Sequence, residues 1–337
     1  MQGRIWELSI PLRTPFATAA GRVDVRRLVL VSVTDGTLVG FGEAAPYPGI
    51  TSDTVDDAWR TLERGIVLSP TAAAALDEAT ADLAARRDGK PLWETVGGSA
   101  RSIPTSIAIG LEEDPVERIE ATGAGGAKLK IRPGSDVARV ADVRAAFPDM
   151  PIGVDANGSY DWEDRSSLLA LDGLGVEYVE QPFPADDLTS HARLRDEIVA
   201  AVALDEPIDS EAAAIRAIEA GACDMLVVKP ARLGVAAARA IHDLALVAGL
   251  RIKASGLLET EVGRAFTFAI AMLPAAVHSD IADASWYLAG SLTATEPGVE
   301  SGEMHAGNGA GIGFDPDPAA FAPYVVRESV LGSRIWD

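Results

Sequence analysis

Between Ala127 and Pro230 the chain reads AKLKI (127–131), IGVDA (152–156), YVEQP (178–182), AVALDE (201–206) and MLVVKP (225–230). Each piece is a short apolar run, too short for a stable helix, as expected of a strand buried on both faces of a parallel sheet. Each run also ends in an ionisable side chain: Lys130, Asp155, Glu180, Asp205 and Lys229. Their separations are 25, 25, 25 and 24 residues. That interval is one strand–helix unit, so the five groups are expected at equivalent points of five successive strands. SIPTSIAIG (102–110), RIKAS (251–255) and AAVHSD (275–280) bring the strand candidates to eight. Helical stretches such as Ser135–Ala146 and Glu211–Ala220 lie between them. The alternation predicts an α/β fold, a (β/α) barrel of TIM type over residues 103–302, with the ionisable groups at its C-terminal rim. A doubly wound open sheet is the alternative, but it normally uses fewer strands.

The first hundred residues have a different grammar. Ile5–Leu12 and Leu28–Thr34 read as strands, the second running into an Asp35-Gly36 turn, and Leu38–Ala44 completes a hairpin. Thr54–Gly65 and Thr71–Arg87 read as helices, the second closed by Gly89 and Pro91. Residues 1–102 are therefore expected to form an α+β capping domain. The Gly- and Pro-rich tail, about 303–337, is expected to return to it.

Composition narrows the partners. The 337 residues carry 29 basic and 50 acidic side chains, net −21, and 48% are hydrophobic, enough for a sizeable core. Such a field repels nucleic acid and anionic membranes. The first ten residues, MQGRIWELSI, lack the apolar core of a signal peptide, so a cytoplasmic protein is expected. The single cysteine, Cys223, forms no internal disulfide, and four scattered histidines do not suggest zinc. A homo-oligomer is left open.

An acid at a strand end is usually a helix cap, and a lysine there is usually solvated. Five same-phase ionisable groups together are harder to explain that way, because burying them unpaired is costly. Three carboxylates with water suit Mg²⁺, with Mn²⁺ as the substitute, rather than zinc. Such an ion binds a substrate carboxylate and stabilises an enolate. A lysine near other cations supplies the base for a carbon acid, and Lys128 and Lys130 are expected to depress each other's pKa. Lys229 is expected across the barrel.

The set KLK, VDAN, VEQP, LDE and VVKPARLG resembles the enolase superfamily, muconate-lactonizing subgroup. LKIRPGSDV (129–137), RAAFPDMPIGVDANGSY (144–160), EQPFPADDL (180–188), SGLLETEVGRA (255–265), HSDIADASWYL (278–288) and GAGIGFDPD (309–317) are similar to the o-succinylbenzoate synthase/N-acylamino acid racemase family, in that family's order. The resemblance implies a modified, enolase-like barrel. It implies Asp155, Glu180 and Asp205 as metal ligands, Lys130 as acid/base with Lys128 tuning it, and Lys229 as the opposite-face acid/base or an oxyanion-side cation. Asn157 and Glu206 are implied near the metal shell, and Ser255, Gly256 and Leu257 against the distal part of a small carboxylate substrate. FATAAGR (16–22), AAPYPGIT (44–51) and Gly234-Val235 depart from the family's usual wording, and the first two are loops that meet the substrate's variable end in that family. The expected reaction is dehydration to o-succinylbenzoate, a step toward menaquinone. The alternatives are N-acylamino acid racemisation, dipeptide epimerisation or muconate-type cycloisomerisation with the same residues. A barrel that binds a carboxylate without turnover is the rival of another class.

Overall fold

The computed structural model describes residues 2–19, 21–66, 69–99, 102–293 and 299–333. The chain opens with β1 (Gln2–Thr18), β2 (Gly21–Thr34) and β3 (Val39–Ala44), followed by α1 (Val55–Arg64), α2 (Pro70–Asp88) and α3 (Leu92–Thr95). The FATAAGR stretch is not a free loop. Phe16 pairs with Val23, Ala17 with Arg22 and Thr18 with Gly21, so it is the end of a long β1–β2 hairpin; Ala20 lies outside the described residues. In β3 the glycines of VGFGEA have a packing reason: a Cβ on Gly42 would stand 2.1 Å from the Ala75 carbonyl of α2. Without those side chains the alanine face of α2 lies directly on the sheet.

Next come β4 (Ser102–Pro104), β5 (Ser106–Ile109), β6 (Gly126–Lys130), β7 (Ile152–Asp155), β8 (Tyr178–Glu180), β9 (Ala201–Leu204), β10 (Met225–Val228) and β11 (Arg251–Ala254). Strands β5 to β11 form one parallel sheet in chain order. The helices α4 (Pro115–Thr122), α5 (Val137–Ala146), α6 (Arg165–Asp172), α7 (Leu188–Arg195), α8 (Glu211–Glu219), α9 (Pro230–Val247) and α10 (Glu261–Ala271) alternate with these strands or follow them. The eighth expected strand, AAVHSD, is not a regular one. Ile252 N donates to Ala275 O at 2.9 Å, Val277 N to Ile252 O at 2.9 Å, Asp280 N to Ala254 O at 2.8 Å, and Ser106 N to Ile281 O at 2.7 Å. The segment therefore closes the barrel between β11 and β5, while His278 at φ 48° breaks its ladder in the middle. No described helix is long and apolar enough to cross a membrane.

The tail divides. β12 (Val299–Glu300) and β13 (Glu303–His305) pair with each other, and β13 pairs with β4. Ile312 N donates to Asp82 Oδ1 of α2 at 2.8 Å, and β14 (Val325–Val330) adds to the edge of β1.

The antiparallel sheet meets the barrel through buried polar groups. Arg26 donates to the carbonyls of Pro46 at 2.9 Å, Ala45 at 3.3 Å and Leu258 at 3.2 Å. Glu43 accepts from Thr260 N at 3.1 Å and from the Thr260 hydroxyl, while its own N–H donates to Glu78 Oε2 at 3.1 Å. Burial in this seam pushes the Glu43 carboxyl up to about 7 and Glu78 well above the usual range. A folded-state pKa above the unfolded one means the folded protein holds extra protons between about pH 4.5 and 7, so stability falls as pH rises through that window. In Glu43→Gln, urea midpoints at pH 5 and 7.5 are expected to differ less than in the wild type. The difference lost is up to about 3 kcal/mol; an unchanged difference contradicts the assignment.

Candidate active site

The period in the sequence becomes register in the sheet. Lys130 pairs with Asp155, and Asp155 with Glu180. Glu180 pairs with Ala203, so Asp205 lies two residues further along; Leu204 pairs with Leu226, so Lys229 lies two further again relative to Asp205. The five groups thus advance four residues over four strand steps. That is about the one residue per strand that the tilt of an eight-stranded barrel requires to keep them at one rim.

At that rim the charges interleave. Lys130 Nζ donates to Asp155 Oδ2 at 2.6 Å and to Asn157 Oδ1 at 2.8 Å. Lys128 Nζ is 2.9 Å from Glu180 Oε1, 3.2 Å from Asp155 Oδ2 and 2.7 Å from Asp280 Oδ2. Lys229 Nζ pairs with Asp205 Oδ2. Asn157 also donates to Glu206 Oε1 at 3.0 Å and takes up φ 45°, a turn that folds its N–H back onto Asp155 Oδ1 at 3.0 Å. Lys128, Lys130, Lys229, Ser255, Gly256 and Leu257 all line one cavity of about 60 Å³. Phe16, Thr18, Tyr47 and Ile50 of the N-terminal module form its opposite wall, so both departing segments reach the cavity. Asn157 and Glu206 are not part of this lining; Asn157 reaches it through Lys130, and Glu206 lines a neighbouring cavity with Arg232. A larger cavity, about 320 Å³, opens beside Trp93 and Phe268 but shares only Arg264 with this one and holds no lysine.

The electrostatics correct one expectation. Lys128 is not depressed: burial pulls it down, but Asp280, Glu180 and Asp155 together hold it well above its ordinary value. Asp155 is buried, yet Lys130 and Lys128 keep it well below the usual carboxylate range; Lys229 and Arg232 lower Asp205 despite its burial. Burial and the charge of Asp155 push Glu180 up. Glu206 rises to about 7 through burial beside Asp205 and Asp155. Cys223 is buried and its thiol is pushed up to about 12.

Four further residues belong to the constellation. Gln181 accepts from Asp205 N at 3.0 Å and Glu206 N at 3.2 Å, which fixes the turn that presents both acids. Arg232 donates to the carbonyls of Asp205 at 2.8 Å and Ile208 at 2.7 Å. Lys253 is 3.2 Å from Glu180 Oε2, and Asp280 accepts from Ser255 Oγ at 2.7 Å. A signal for the last pair was present, since Lys229 to Lys253 is 24 residues and Lys253 to Asp280 is 27.

Among the described residues no three acidic, His or Cys side chains stand together as a closed metal cage; the lysine ammonium groups lie against the acid oxygens. The donor set nonetheless suits a hard divalent cation. It consists of carboxylate oxygens only, and Glu180 Oε2 is buried without a hydrogen bond, facing only the Lys253 ammonium as an ion pair at 3.2 Å.

Comparison with known proteins identifies the family. Residues 111–320 match the Enolase C-terminal domain-like family, and residues 49–97 match the mandelate racemase/muconate lactonizing enzyme N-terminal domain. The chain belongs to the enolase superfamily. Within that superfamily it is 35% identical to an o-succinylbenzoate synthase of Geobacillus kaustophilus, covering 92% of each chain. It is 33% identical to an N-succinylamino acid racemase of Thermus thermophilus, covering 91% of this chain and 92% of that one. An N-succinyl Arg/Lys racemase from Bacillus cereus shares the fold with a TM-score of 0.90 at 19% identity, covering 98% of this chain and 99% of that one. A dipeptide epimerase from Enterococcus faecalis, solved with Mg and a dipeptide, superposes with a TM-score of 0.86 at 24% identity, covering 93% and 98%.

Asn157 touches both Lys130 and Glu206, so Asn157→Ala is expected to leave the far-ultraviolet dichroism unchanged while lowering turnover roughly tenfold or more, the loss of one or two charge-assisted hydrogen bonds. Turnover within twofold of wild type would remove Asn157 from the site.

Proposed function

We propose that this enolase-superfamily protein is a divalent-metal-dependent o-succinylbenzoate synthase, a dehydratase acting in the cytoplasm on a small carboxylate, a step toward menaquinone. The observation that carries the reading is that Lys130 and Lys229 line one cavity whose rim holds Asp155 and Asp205 against them. Support comes from the o-succinylbenzoate synthases that match over most of the chain.

Asp155, Glu180 and Asp205 would hold Mg²⁺ or Mn²⁺, and such an ion supplies the positive charge that stabilises an enediolate formed from the substrate carboxylate. Lys130, as the neutral amine, takes the proton α to that carboxylate. The carbon–oxygen bond of the leaving hydroxyl then breaks, and the Lys130 ammonium returns that proton to make water. Asn157 Oδ1 accepts a hydrogen bond from Lys130 and aims it. Lys128, held as a cation by three carboxylates, keeps the base side positive, and Lys229 faces the substrate from the Asp205 side. Ser255, Gly256, Leu257 and the aromatic wall of Phe16 and Tyr47 shape the distal end and exclude water.

A second reading has its own observation. Lys229 enters the same cavity as Lys130, as a two-base racemase of N-succinylamino acids or an epimerase of dipeptides requires. Side-by-side kinetics on the cyclohexadiene precursor of o-succinylbenzoate and on N-succinylamino acids tests both. Dehydration with kcat/KM at least about tenfold above racemisation is expected; the reverse ratio overturns the synthase reading. In D₂O, Lys130→Ala is expected to abolish exchange of the α-hydrogen, and unchanged exchange would show that another group is the base. Saturating Mg²⁺ at about 100 times its Kd is expected to stabilise the fold by about 2.7 kcal/mol; no rise in melting temperature with either ion contradicts a metal site.

A further inference from the structure

At the rim and just beneath it, four buried side chains close a ring of alternating charge. Lys128 Nζ lies 2.9 Å from Glu180 Oε1 and 2.7 Å from Asp280 Oδ2. Lys253 Nζ lies 3.2 Å from Glu180 Oε2 and pairs with the same Asp280 oxygen. Lys253 is 0% exposed, and unlike Lys128, Lys130 and Lys229 it does not line the substrate cavity. Its remaining contact of note is the face of Tyr178, with the ring centroid 5.1 Å away.

Its position in the sheet explains the geometry. Lys253 pairs in register with Val227 of β10, two residues before Lys229, so it points into the barrel one layer below the rim. From there it reaches Glu180 of β8 and Asp280 of the closing segment. Replacing a whole buried ion pair by apolar groups of similar volume is often neutral, whereas removing one partner leaves the other charge buried and unpaired and is destabilising. The charge of Lys253 therefore matters to the groups it touches. Glu180 has one oxygen on Lys128 and the other on Lys253, and Asp280 joins both lysines to the Ser255 hydroxyl.

We propose that Lys253 is a positioning residue, a fixed internal cation that holds Glu180 and Asp280 from below and limits the affinity of the carboxylate set for a divalent ion. Because it sits on one of the proposed ligands, it moderates how strongly that ligand attracts a second positive charge. Through Asp280 it also keeps Lys128 and Ser255 in place. The proposal rests on the reading of Glu180 as a metal ligand.

Lys253→Met removes the charge at nearly constant volume, and Lys253→Arg keeps it. Binding of Mn²⁺ alone is measured by electron paramagnetic resonance of the free ion, with melting temperatures taken with and without Mn²⁺. Lys253→Met is expected to bind Mn²⁺ about tenfold more tightly, as one like charge beside a ligand is removed. Its melting temperature should fall without metal and rise further than that of the wild type when Mn²⁺ is added. Lys253→Arg should bind within about threefold of wild type. A purely structural lysine would lower the melting temperature without tightening Mn²⁺. Equal or weaker binding in Lys253→Met, with binding in the wild type intact, therefore overturns this proposal alone. Wild-type protein that binds no Mn²⁺ overturns the metal reading together with it. Should Lys253→Met not fold, Lys253→Gln carries the same expectation for Mn²⁺ affinity.

Discussion

The barrel mouth is held by buried opposite charges placed against one another. Lys128, Lys130, Lys229, Lys253 and Arg232 face Asp155, Glu180, Asp205, Glu206 and Asp280, most of them with almost no exposed surface. Each ion taken from water costs several kcal/mol after relaxation, so none of these groups is affordable alone. Alternation offsets that cost. Lys128 touches three carboxylates and Asp155 touches two lysines. In formal charge, five against five balance, while the whole chain carries −21. A divalent ion would turn that balanced set positive, so an acidic protein has a mouth suited to an anionic substrate.

The rest of the architecture serves that arrangement. The 24- and 25-residue repeat delivers one side chain per strand, and the tilt of the barrel converts a four-residue advance in register into a common height. The antiparallel module closes the mouth with Phe16, Thr18, Tyr47 and Ile50. It is locked there by Arg26 on Leu258 and Glu43 on Thr260, each within five residues of Ser255 or closer. The same short segment, Ser255–Thr260, therefore lines the cavity and anchors its cover, which couples closure of the site to integrity of the seam.

Much of this was legible because the chemistry of the rim repeats with the period of the fold. Lys130, Asp155, Glu180, Asp205 and Lys229 announce themselves by spacing, and the structure brings them to one rim. The β1–β2 hairpin tip at 16–22 was not legible, because the β1–β2 register shifts between Pro11 and Phe16 and the alternation that marks a strand is lost. The broken eighth strand was not legible either: a left-handed His278 leaves no trace in an apolar run. Lys253 reads in isolation as an ordinary strand lysine. Its identity as an interior cation depends on the inward phase of β11 and on Asp280, which a single strand cannot reveal. The depression expected of Lys128 failed for a related reason. Sequence spacing shows that two lysines are neighbours, but not that three carboxylates surround one of them.

The proposed cation site joins Asp155, Glu180 and Asp205 at the rim between Lys130 and Lys229. Anomalous diffraction from crystals soaked in Mn²⁺ tests it directly. A single strong peak within about 2.3 Å of oxygens from all three carboxylates is expected. A peak held by other residues, or none there in crystals that take up the ion elsewhere, would contradict it.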